Sequence, residues 1–180
     1  MRAVNVIAQT IPGVFLINSD SYHDERGVFT NAWLPKVLAG HGICTDVSQA
    51  MLSFSFRKGT LRGMHLQVSP HEQHKSVRVT RGAIFDVALD MRPDSPTYLQ
   101  WTGHELSADN RHMLHIPAGF AHGFQTLADD TEVLYFVSGE YSPAHERGYR
   151  YDDPAFGIVW PLGAPTVINA RDASFPDVVR

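Results

Sequence analysis

The stretch that decides the fold is residues 83–91, which read AIFDVALDM. Side chains of a β-strand point alternately to its two faces. One face of this stretch is fully apolar and consists of Phe85, Val87, Leu89 and Met91. The other face carries two carboxylates, Asp86 and Asp90, between Ile84 and Ala88. The pattern predicts a strand with one face in a core and the other lining a mixed pocket.

The same alternation recurs on both sides of this stretch. It predicts further strands at residues 14–18, 49–56, 59–68, 75–80, 113–116, 123–127 and 131–138. Helical patterns are few, and residues 31–39 are compatible with one short helix closed by Gly40. Many short strands separated by Gly and Pro turns are typical of an all-β sandwich or barrel. We expect one domain over residues 1–180, with an irregular C-terminal tail from about residue 161.

Composition excludes several classes of protein. With 43% hydrophobic residues among 180, the chain can bury a real core. The net charge of −4 gives no basic footprint for nucleic acid. The single cysteine, Cys44, excludes an internal disulfide framework and a CxxC zinc site. No leader-like N-terminus and no run of 18 apolar residues is present, so we expect a cytoplasmic protein without a membrane partner.

The densest polar segment is residues 61–67, LRGMHLQ, which is followed by Lys75. On a strand, His65 and Gln67 share a face, whereas a distortion at Gly63 leaves the side of Arg62 open. Lys75 shares its face with two valines, and a lysine aimed inward requires an anion or a shifted pKa. The alternative is a lysine at a strand end that reaches solvent.

Three further segments carry polar groups at marked positions. The run IPAGFAHGF at residues 116–124 delivers His122 from a Pro-Gly turn to the start of an apolar strand. Tyr135 alternates with valines, as a core tyrosine with a bonded hydroxyl does. Arg171 and Asp172 form a charged pair in the tail, which taken alone is typical of a solvated surface. P-loop, GxGxxG and G-x-S-x-G motifs are absent from the sequence.

The order and spacing of these segments carry a resemblance to a known family. The segments are DERG at 24–27, LRGMHLQ at 61–67, Lys75, FDVALDMR at 85–92, SPT at 95–97, Leu106-Ser107, Asn110, IPAGFAHGF at 116–124 and YSP at 141–143 with Glu146. Together they closely resemble the dTDP-4-dehydrorhamnose 3,5-epimerase family of nucleotide-sugar enzymes. The match runs from about Tyr22 to Asp172.

The resemblance implies a cupin-type jelly roll that works as a homodimer without metal or organic cofactor. It implies inversion at C3 and/or C5 of a nucleotide-linked 4-keto-6-deoxy hexose, with dTDP as the expected nucleotide, in deoxysugar biosynthesis. His65 matches the base that removes a proton next to the ketone, and Lys75 matches the cation beside the resulting enolate. Tyr135 matches the acid on the opposite face, and Asp172 matches the carboxylate that orients His65.

The resemblance also implies a set of substrate-binding positions. Arg26 and Arg62 resemble residues that hold the diphosphate. The other matching positions are Asn31, Gln49, Met51, Gln67, His122, Glu146 and Arg171. Several of these depart from the family pattern. Residues 49–51 read QAM where the family usually has Gln-Asp-Asn, Asn31 replaces a common glutamate, and Phe136 and Arg171 each replace a lysine. The nucleotide, the sugar and the number of centres inverted therefore stay open.

Three other hypotheses remain at this stage. One is a single-centre 3- or 5-epimerase that acts on a CDP- or GDP-linked 4-keto sugar. Another is a cupin that binds a nucleotide sugar without turnover. The third is a metal-dependent cupin with His65, Glu72 and His122 as ligands, although Gln67 replaces the second histidine of the usual HxH pair and Lys75 would repel a cation.

Overall fold

The computed structural model describes residues 4–178 of the chain. The first three and last two residues of the predicted domain lie outside this range. The strands are β1 (Val4–Ala8), β2 (Phe15–Ser19), β3 (Ser21–Asp24), β4 (Gly27–Thr30), β5 (Gln49–Ser55), β6 (Leu61–Gln67), β7 (Lys75–Arg81), β8 (Ala83–Asp90), β9 (Trp101–Ser107), β10 (Met113–Ile116), β11 (Phe120–Thr126), β12 (Thr131–Val137) and β13 (Glu146–Gly148). The helices are α1 (Pro35–Ala39), α2 (Ala170–Ala173) and one 3-10 turn (Pro143–His145).

Two antiparallel sheets form the body of the protein. The six-stranded sheet has the order β1-β2-β10-β7-β12-β5, and the five-stranded sheet has the order β13-β6-β11-β8-β9. Strands β3 and β4 form a separate hairpin. The predicted all-β class is confirmed, and the sheets pack as a jelly roll with neighbours that are distant in sequence.

Strand β8 contributes side chains to two hydrophobic clusters, one on each of its faces. Ile84 and Ala88 pack between the sheets, in a cluster that includes Val77 and Val79 of β7. The opposite face of β8 packs in a second cluster, which contains Val87 and Leu89. The tail covers this second cluster through Phe156 and Trp160. The face with two carboxylates therefore points into the jelly roll, and the fully apolar face points towards the tail.

The helix predicted over residues 31–39 is shorter than expected. It begins at Pro35, in the first turn of the helix where proline is tolerated, because the fixed φ of proline suits that position. The residue before a proline is driven away from helical angles, and Leu34 has φ −133° and ψ 76°, outside the helical region. The tail expected to be irregular contains one helical turn, α2, which Asn169 caps by accepting a hydrogen bond from the Asp172 amide at 2.7 Å.

Among residues 4–178, no helix combines the length and the apolar character required to cross a membrane.

Candidate active site

A cavity of about 290 Å³ opens between the two sheets. Its wall combines side chains from both sheets with three residues of the tail. The lining residues are Met51, Leu52, Ser53, Arg62, His65, Lys75, His122, Phe124, Tyr135, Val137, Asn169, Arg171 and Asp172. Nine of these residues are polar or charged and four are apolar, and convergent polar groups in a concave, partly apolar cavity are typical of a small-molecule site.

A glycine distortion brings two of these side chains to the same wall. The pairing register between β6 and β11 shifts between His122 and Phe124. Gly63 has a φ of +125°, and a Cβ there would lie 2.4 Å from the Cα of Gly123. The two strands therefore approach each other most closely where neither residue carries a side chain. As a consequence Arg62 and His65 both line the cavity, which settles the placement that alternation left open.

His65 is oriented by a carboxylate from the tail. Its Nε2 lies 2.9 Å from Oδ1 of Asp172, and the second oxygen of Asp172 accepts a hydrogen bond from the Gly63 amide at 3.0 Å. Burial opposes the charge of Asp172, but the hydrogen bonds from His65 and Gly63 outweigh it and lower the pKa of the carboxyl. An ionised carboxylate only accepts hydrogen bonds, so the shorter contact with Asp172 assigns the hydrogen to Nε2 and leaves Nδ1 as the basic atom. The approach of Arg171 Nη2 to the same Nε2, at 3.3 Å, is then not a hydrogen bond, because both groups are donors.

Lys75 enters the cavity from β7, in the six-stranded sheet. Its Nζ donates a hydrogen bond to the His65 carbonyl at 3.4 Å. Burial lowers the pKa of Lys75 to about 8, while the negative charges of Glu146 and Asp86 raise it in part. The ammonium is thus held in a poorly solvated place, where a cation acts strongly on a nearby developing charge.

Tyr135 stands on β12, in the same sheet as Lys75 and across the cavity from the sheet that carries His65. Its hydroxyl lies 3.1 Å from the Ser53 hydroxyl. Burial, reinforced by the charge of Asp86, raises the pKa of Tyr135 against the opposing hydrogen bond of Ser53. Tyr135 therefore keeps its proton at neutral pH and is able to donate it.

A second histidine beside His65 also has a buried carboxylate. His122 of β11 is the direct cross-strand partner of His65. Its Nε2 lies 2.7 Å from Oδ1 of Asp86, whose side chain is fully buried. The His122 ring also meets the Tyr135 ring edge to face, with centroids 6.1 Å apart.

Two arginines stand at the cavity wall. Arg62 donates hydrogen bonds to the Ser55 hydroxyl at 3.3 Å and to the Phe54 carbonyl at 3.0 Å, so strand β5 holds it in place. Arg171 donates to a carboxylate oxygen of Glu146 at 3.0 Å. Planar guanidinium groups in this setting suit the oxygens of a phosphate or diphosphate.

Two predicted substrate-binding residues support the cavity without lining it. Gln67 is buried, donates to the Glu140 carbonyl at 3.1 Å and accepts from the Ser142 amide at 2.7 Å. Glu146 accepts hydrogen bonds from the Tyr141 hydroxyl at 2.8 Å and from Arg171. Both residues fix the segment that borders the cavity.

Three predicted residues lie away from this cavity in the single chain. Arg26 and Asn31 line a different groove on the β3–β4 hairpin, and Arg26 is bonded to Asp24. Gln49 begins β5 opposite Val137 and is outside the cavity lining. One chain therefore does not bring Arg26, Asn31 and Gln49 together with His65.

Sequence reasoning missed several residues of the cavity wall. Ser53 follows Met51 with the spacing of one strand face, which is the signal that marks it in retrospect. Asp86 does not line the cavity but bonds His122, which does, and its place on the mixed face of β8 is the sequence signal for it. No pattern marks Asn169, because it belongs to a tail whose course over the sheet depends on tertiary packing. The remaining additions are the apolar residues Leu52, Phe124 and Val137.

The ligand set of the metal hypothesis is not assembled. His65 and His122 line the cavity, but Glu72 does not. Within the described range 4–178, no three His, Cys, Asp or Glu side chains are grouped as metal ligands would be. Both histidines instead direct Nε2 to an aspartate.

Comparison with known proteins gives a consistent picture. A model of the family described as dTDP-4-dehydrorhamnose 3,5-epimerase matches residues 8–179. The enzyme of that name from Sinorhizobium fredii is 45% identical over 173 residues, which cover 94% of this chain and 87% of the relative.

Solved structures agree with this match over nearly the whole chain. The dTDP-4-dehydrorhamnose 3,5-epimerase of Bacillus anthracis, solved with TDP and PPi bound, has a TM-score of 0.94 at 40% identity and covers 98% of this chain and 100% of its own. The dTDP-6-deoxy-D-glucose-3,5-epimerase of Legionella pneumophila, solved with dTDP-4-keto-L-rhamnose, has a TM-score of 0.91 at 38% identity, with coverages of 96% and 92%. A 3'-monoepimerase from Streptomyces bikiniensis, solved with dTDP-quinovose, has a TM-score of 0.86 at 29% identity, with coverages of 95% and 86%.

Proposed function

The chain belongs to the dTDP-4-dehydrorhamnose 3,5-epimerase family, and we propose that it inverts C3 and C5 of a dTDP-linked 4-keto-6-deoxy hexose. The observation that carries the proposal is one cavity with a carboxylate-held histidine on one sheet and a lysine and a tyrosine on the other. Inversion requires a base and an acid on opposite sides of the sugar ring, and a cation beside the ketone oxygen.

The first step is proton abstraction beside the ketone. Nδ1 of His65 takes the proton from the carbon, the C–H electron pair forms a carbon–carbon double bond, and the carbonyl electrons move to oxygen. Asp172 stabilises the imidazolium that results. The Lys75 ammonium stabilises the enolate oxygen, where a poorly solvated cation is most effective.

The second step returns a proton on the opposite side of the ring. The Tyr135 hydroxyl gives its proton to the carbon, the double-bond electrons form the new C–H bond, and the carbonyl is restored. The phenolate then regains a proton and His65 loses one, so the enzyme returns to its starting state. The same cycle at the second carbon inverts that centre.

Arg62 and Arg171 are proposed to bind the diphosphate, because both guanidinium groups line the cavity wall. The same cavity is proposed to hold the sugar and the nucleotide. Two residues, Met51 and His122, line it, and two others, Gln67 and Glu146, fix the segment at its border. A nucleotide-diphosphate sugar is therefore the proposed ligand.

The proposal includes a homodimer. Strand β5 is at the end of its sheet, and an exposed sheet edge is a template for pairing with another chain. Large apolar side chains are exposed on β5, on the residue after it and on the β3–β4 hairpin, with 63% exposure for Leu52, 77% for Phe56 and 68% for Phe29. We propose that a second copy covers these surfaces, and that the hairpin brings Arg26 and Asn31 to the neighbouring cavity, with Gln49 beside that interface.

Complementation tests the shared site. An Arg26→Ala dimer mixed with a His65→Ala dimer regains activity if subunits exchange, because one hybrid cavity then has both residues. Each variant alone serves as the control, and sedimentation of isotopically labelled subunits verifies exchange. Verified exchange without recovery would count against the shared site.

Two alternatives compete with inversion at both centres. The single-centre reading is favoured by the monoepimerase among the structural neighbours and by Met51, an apolar residue in the cavity wall. A nucleotide-sugar-binding cupin without turnover would keep the arginines but would not need the Lys75–Tyr135 pair.

Hydrogen exchange in heavy water tests the proposal and separates these alternatives. The protein is incubated with dTDP-4-keto-6-deoxyglucose, and C3 and C5 are followed by NMR, with His65→Ala as the control. Deuterium at both carbons, lost in the variant, is the expected result. Deuterium at one carbon would replace the proposal with a single-centre epimerase, and no exchange with dTDP-, CDP- or GDP-linked substrates would favour the binding protein.

Two broader expectations complete the proposal. We propose that residues 1–180 form one domain, because the tail packs on the five-stranded sheet through Phe156 and Trp160. Limited proteolysis that leaves one protected fragment would support it.

The proposed location is the cytoplasm, which cell fractionation tests.

A further inference from the structure

Strand β8 buries two carboxylates on the same face, and they differ in their partners. Asp90 is held by hydrogen bonds from Arg92, Ser95 and Thr97, which satisfy both of its oxygens. Asp86 is fully buried, yet its Oδ2 has no hydrogen-bond partner within residues 4–178. A buried acceptor without a partner is destabilising, so fold stability does not account for Asp86.

The position of Asp86 places it opposite Lys75 inside the jelly roll. Asp86 lies between Ile84 and Ala88 on the inner face of β8. Lys75 lies on the inner face of β7, next to Val77 in the same alternation. Because these apolar residues meet in one core cluster, Asp86 and Lys75 both project into the space between the two sheets.

The electrostatics agree with this placement. Burial lowers the pKa of Lys75, and Glu146 and Asp86 are the two negative charges that raise it. Glu146 already shares its charge with Arg171, at 3.0 Å, near the cavity border. Among residues 4–178, the one side chain bonded to Asp86 is His122, through Nε2, and no lysine or arginine is paired with it.

We propose that Asp86 is a positioning residue of the epimerase site, which orients the His122 ring and supplies the counter-charge that keeps Lys75 protonated. The inference rests on the proposed function, because it assigns Asp86 an effect on the enolate through Lys75. The other titratable or charged groups that face Lys75 are His65, His122, Tyr135, Glu146, Asp172, Arg62 and Arg171. The charge of Asp86 also raises the pKa of His104 and of Tyr135.

An activity profile is the first test. Asp86→Asn keeps the size of the side chain and removes its charge, so Lys75 loses its proton at lower pH than in the wild type. The wild-type to variant ratio of kcat is expected to rise about tenfold between pH 6 and pH 8.5. Asp90→Asn is the matched control from the same strand face, and its ratio is expected to be flat although it lowers Tm. A flat ratio for Asp86→Asn would overturn the proposal.

Lysine titration is the second test and does not depend on turnover. The chain has only three lysines, Lys36, Lys58 and Lys75, so ¹³C-methylated lysine signals are readily assigned by substitution. The signal of Lys75 is expected to titrate about one pH unit lower in Asp86→Asn than in the wild type or in Asp90→Asn. An unchanged Lys75 titration would overturn the counter-charge, whether or not the proposed epimerase activity is found.

Two further variants keep the tests decisive. If Asp86→Asn does not fold, Asp86→Leu removes both the charge and the unpartnered oxygen and is expected to shift Lys75 in the same direction. His122→Gln keeps the carboxylate, so it is expected to lower kcat and to leave the Lys75 titration unchanged. A Lys75 shift in His122→Gln equal to that in Asp86→Asn would contradict the separate role of Asp86.

Discussion

The two faces of the six-stranded sheet bury titratable side chains in opposite ways. The inner face presents Lys75 and Tyr135 to the cavity. The outer face buries His115, whose Nδ1 lies 2.9 Å from the Ser76 hydroxyl, and stacks it on His74 with centroids 5.7 Å apart. Burial, together with the nearby His74, lowers the pKa of His115 to about 3. The outer histidines are therefore neutral parts of a core.

The ordinary pKa of each side chain and the presence of nearby carboxylates together make the difference between these faces. Lys75 is half-buried and starts from an ordinary pKa of 10.5; Asp86 and Glu146 offset part of the effect of burial, so its pKa stays at about 8 and the ammonium persists at neutral pH. No carboxylate is among the groups that shift His115. Burial lowers the pKa of both groups, and carboxylates oppose that shift only for Lys75.

The largest effect is expected from removing the inner cation. Lys75→Met keeps the length of the side chain and should lower kcat by about 10³-fold, because the enolate loses its charged partner. The free energy of unfolding should stay equal or rise, since a desolvated charge is removed. An assay of epimerisation measures kcat, and urea unfolding measures the free energy of unfolding. The control is Lys58→Met, which removes an exposed lysine. A kcat within tenfold of the wild type would contradict the assignment.

An effect of intermediate size on the free energy of unfolding is expected when the pH is lowered, because of His115 on the outer face. The pKa of His115 is lower in the folded protein than the value of about 6.5 in the unfolded chain, so the unfolded state binds more protons between pH 6.5 and 3. The stability contribution is complete above pH 6.5 and falls by about 1.4 kcal/mol per unit as pH decreases through this window. Urea unfolding at pH 7, 5.5 and 4.5 measures the slope, and His115→Gln should reduce it. The exposed His41→Gln should leave it unchanged, and equal slopes in both variants would argue against His115.

The smallest effects are expected from a pair of serines. Ser53 bonds the Tyr135 hydroxyl on the inner face, and Ser76 bonds His115 on the outer face. Ser53→Ala should lower kcat several-fold with little change in stability, because it releases the acid. Ser76→Ala should lower the free energy of unfolding by about 1 kcal/mol and leave kcat unchanged. If both substitutions changed kcat and the free energy of unfolding by the same amounts, the inner face would not differ from the outer face in its role in catalysis.

Period-two alternation predicted eight of the eleven strands in the two large sheets and missed β1, β9 and β13. It failed where a strand is set by its neighbours. Strand β9 contains Gly103, His104 and Glu105 and is defined by pairing with β8 rather than by its own pattern. The β3–β4 hairpin also escaped prediction, because exposed strands have no apolar face to mark them.

The site was predictable to a different extent. Alternation with valines put Lys75 on an apolar face but left a solvent-directed lysine open, and the structure places it in the cavity lining. The pairing of His65 with Asp172 spans 107 residues and was expected only from family resemblance. The role of Gly63 needed the register of β6 against β11, which one strand does not reveal. Phe136, a departure from the family, stacks on Trp33 with centroids 4.8 Å apart and so belongs to the outer core.

The docking of the tail has a consequence for the order of events during synthesis. A ribosome releases the chain from its N-terminus, so every strand of both sheets is available before Asn169–Ala173 emerges. A nascent jelly roll would thus hold His65, Lys75 and Tyr135 without the carboxylate that orients the base. The proposed chemistry starts only when α2 is seated beside Gly63, and turnover would report the last stage of maturation rather than the formation of the barrel.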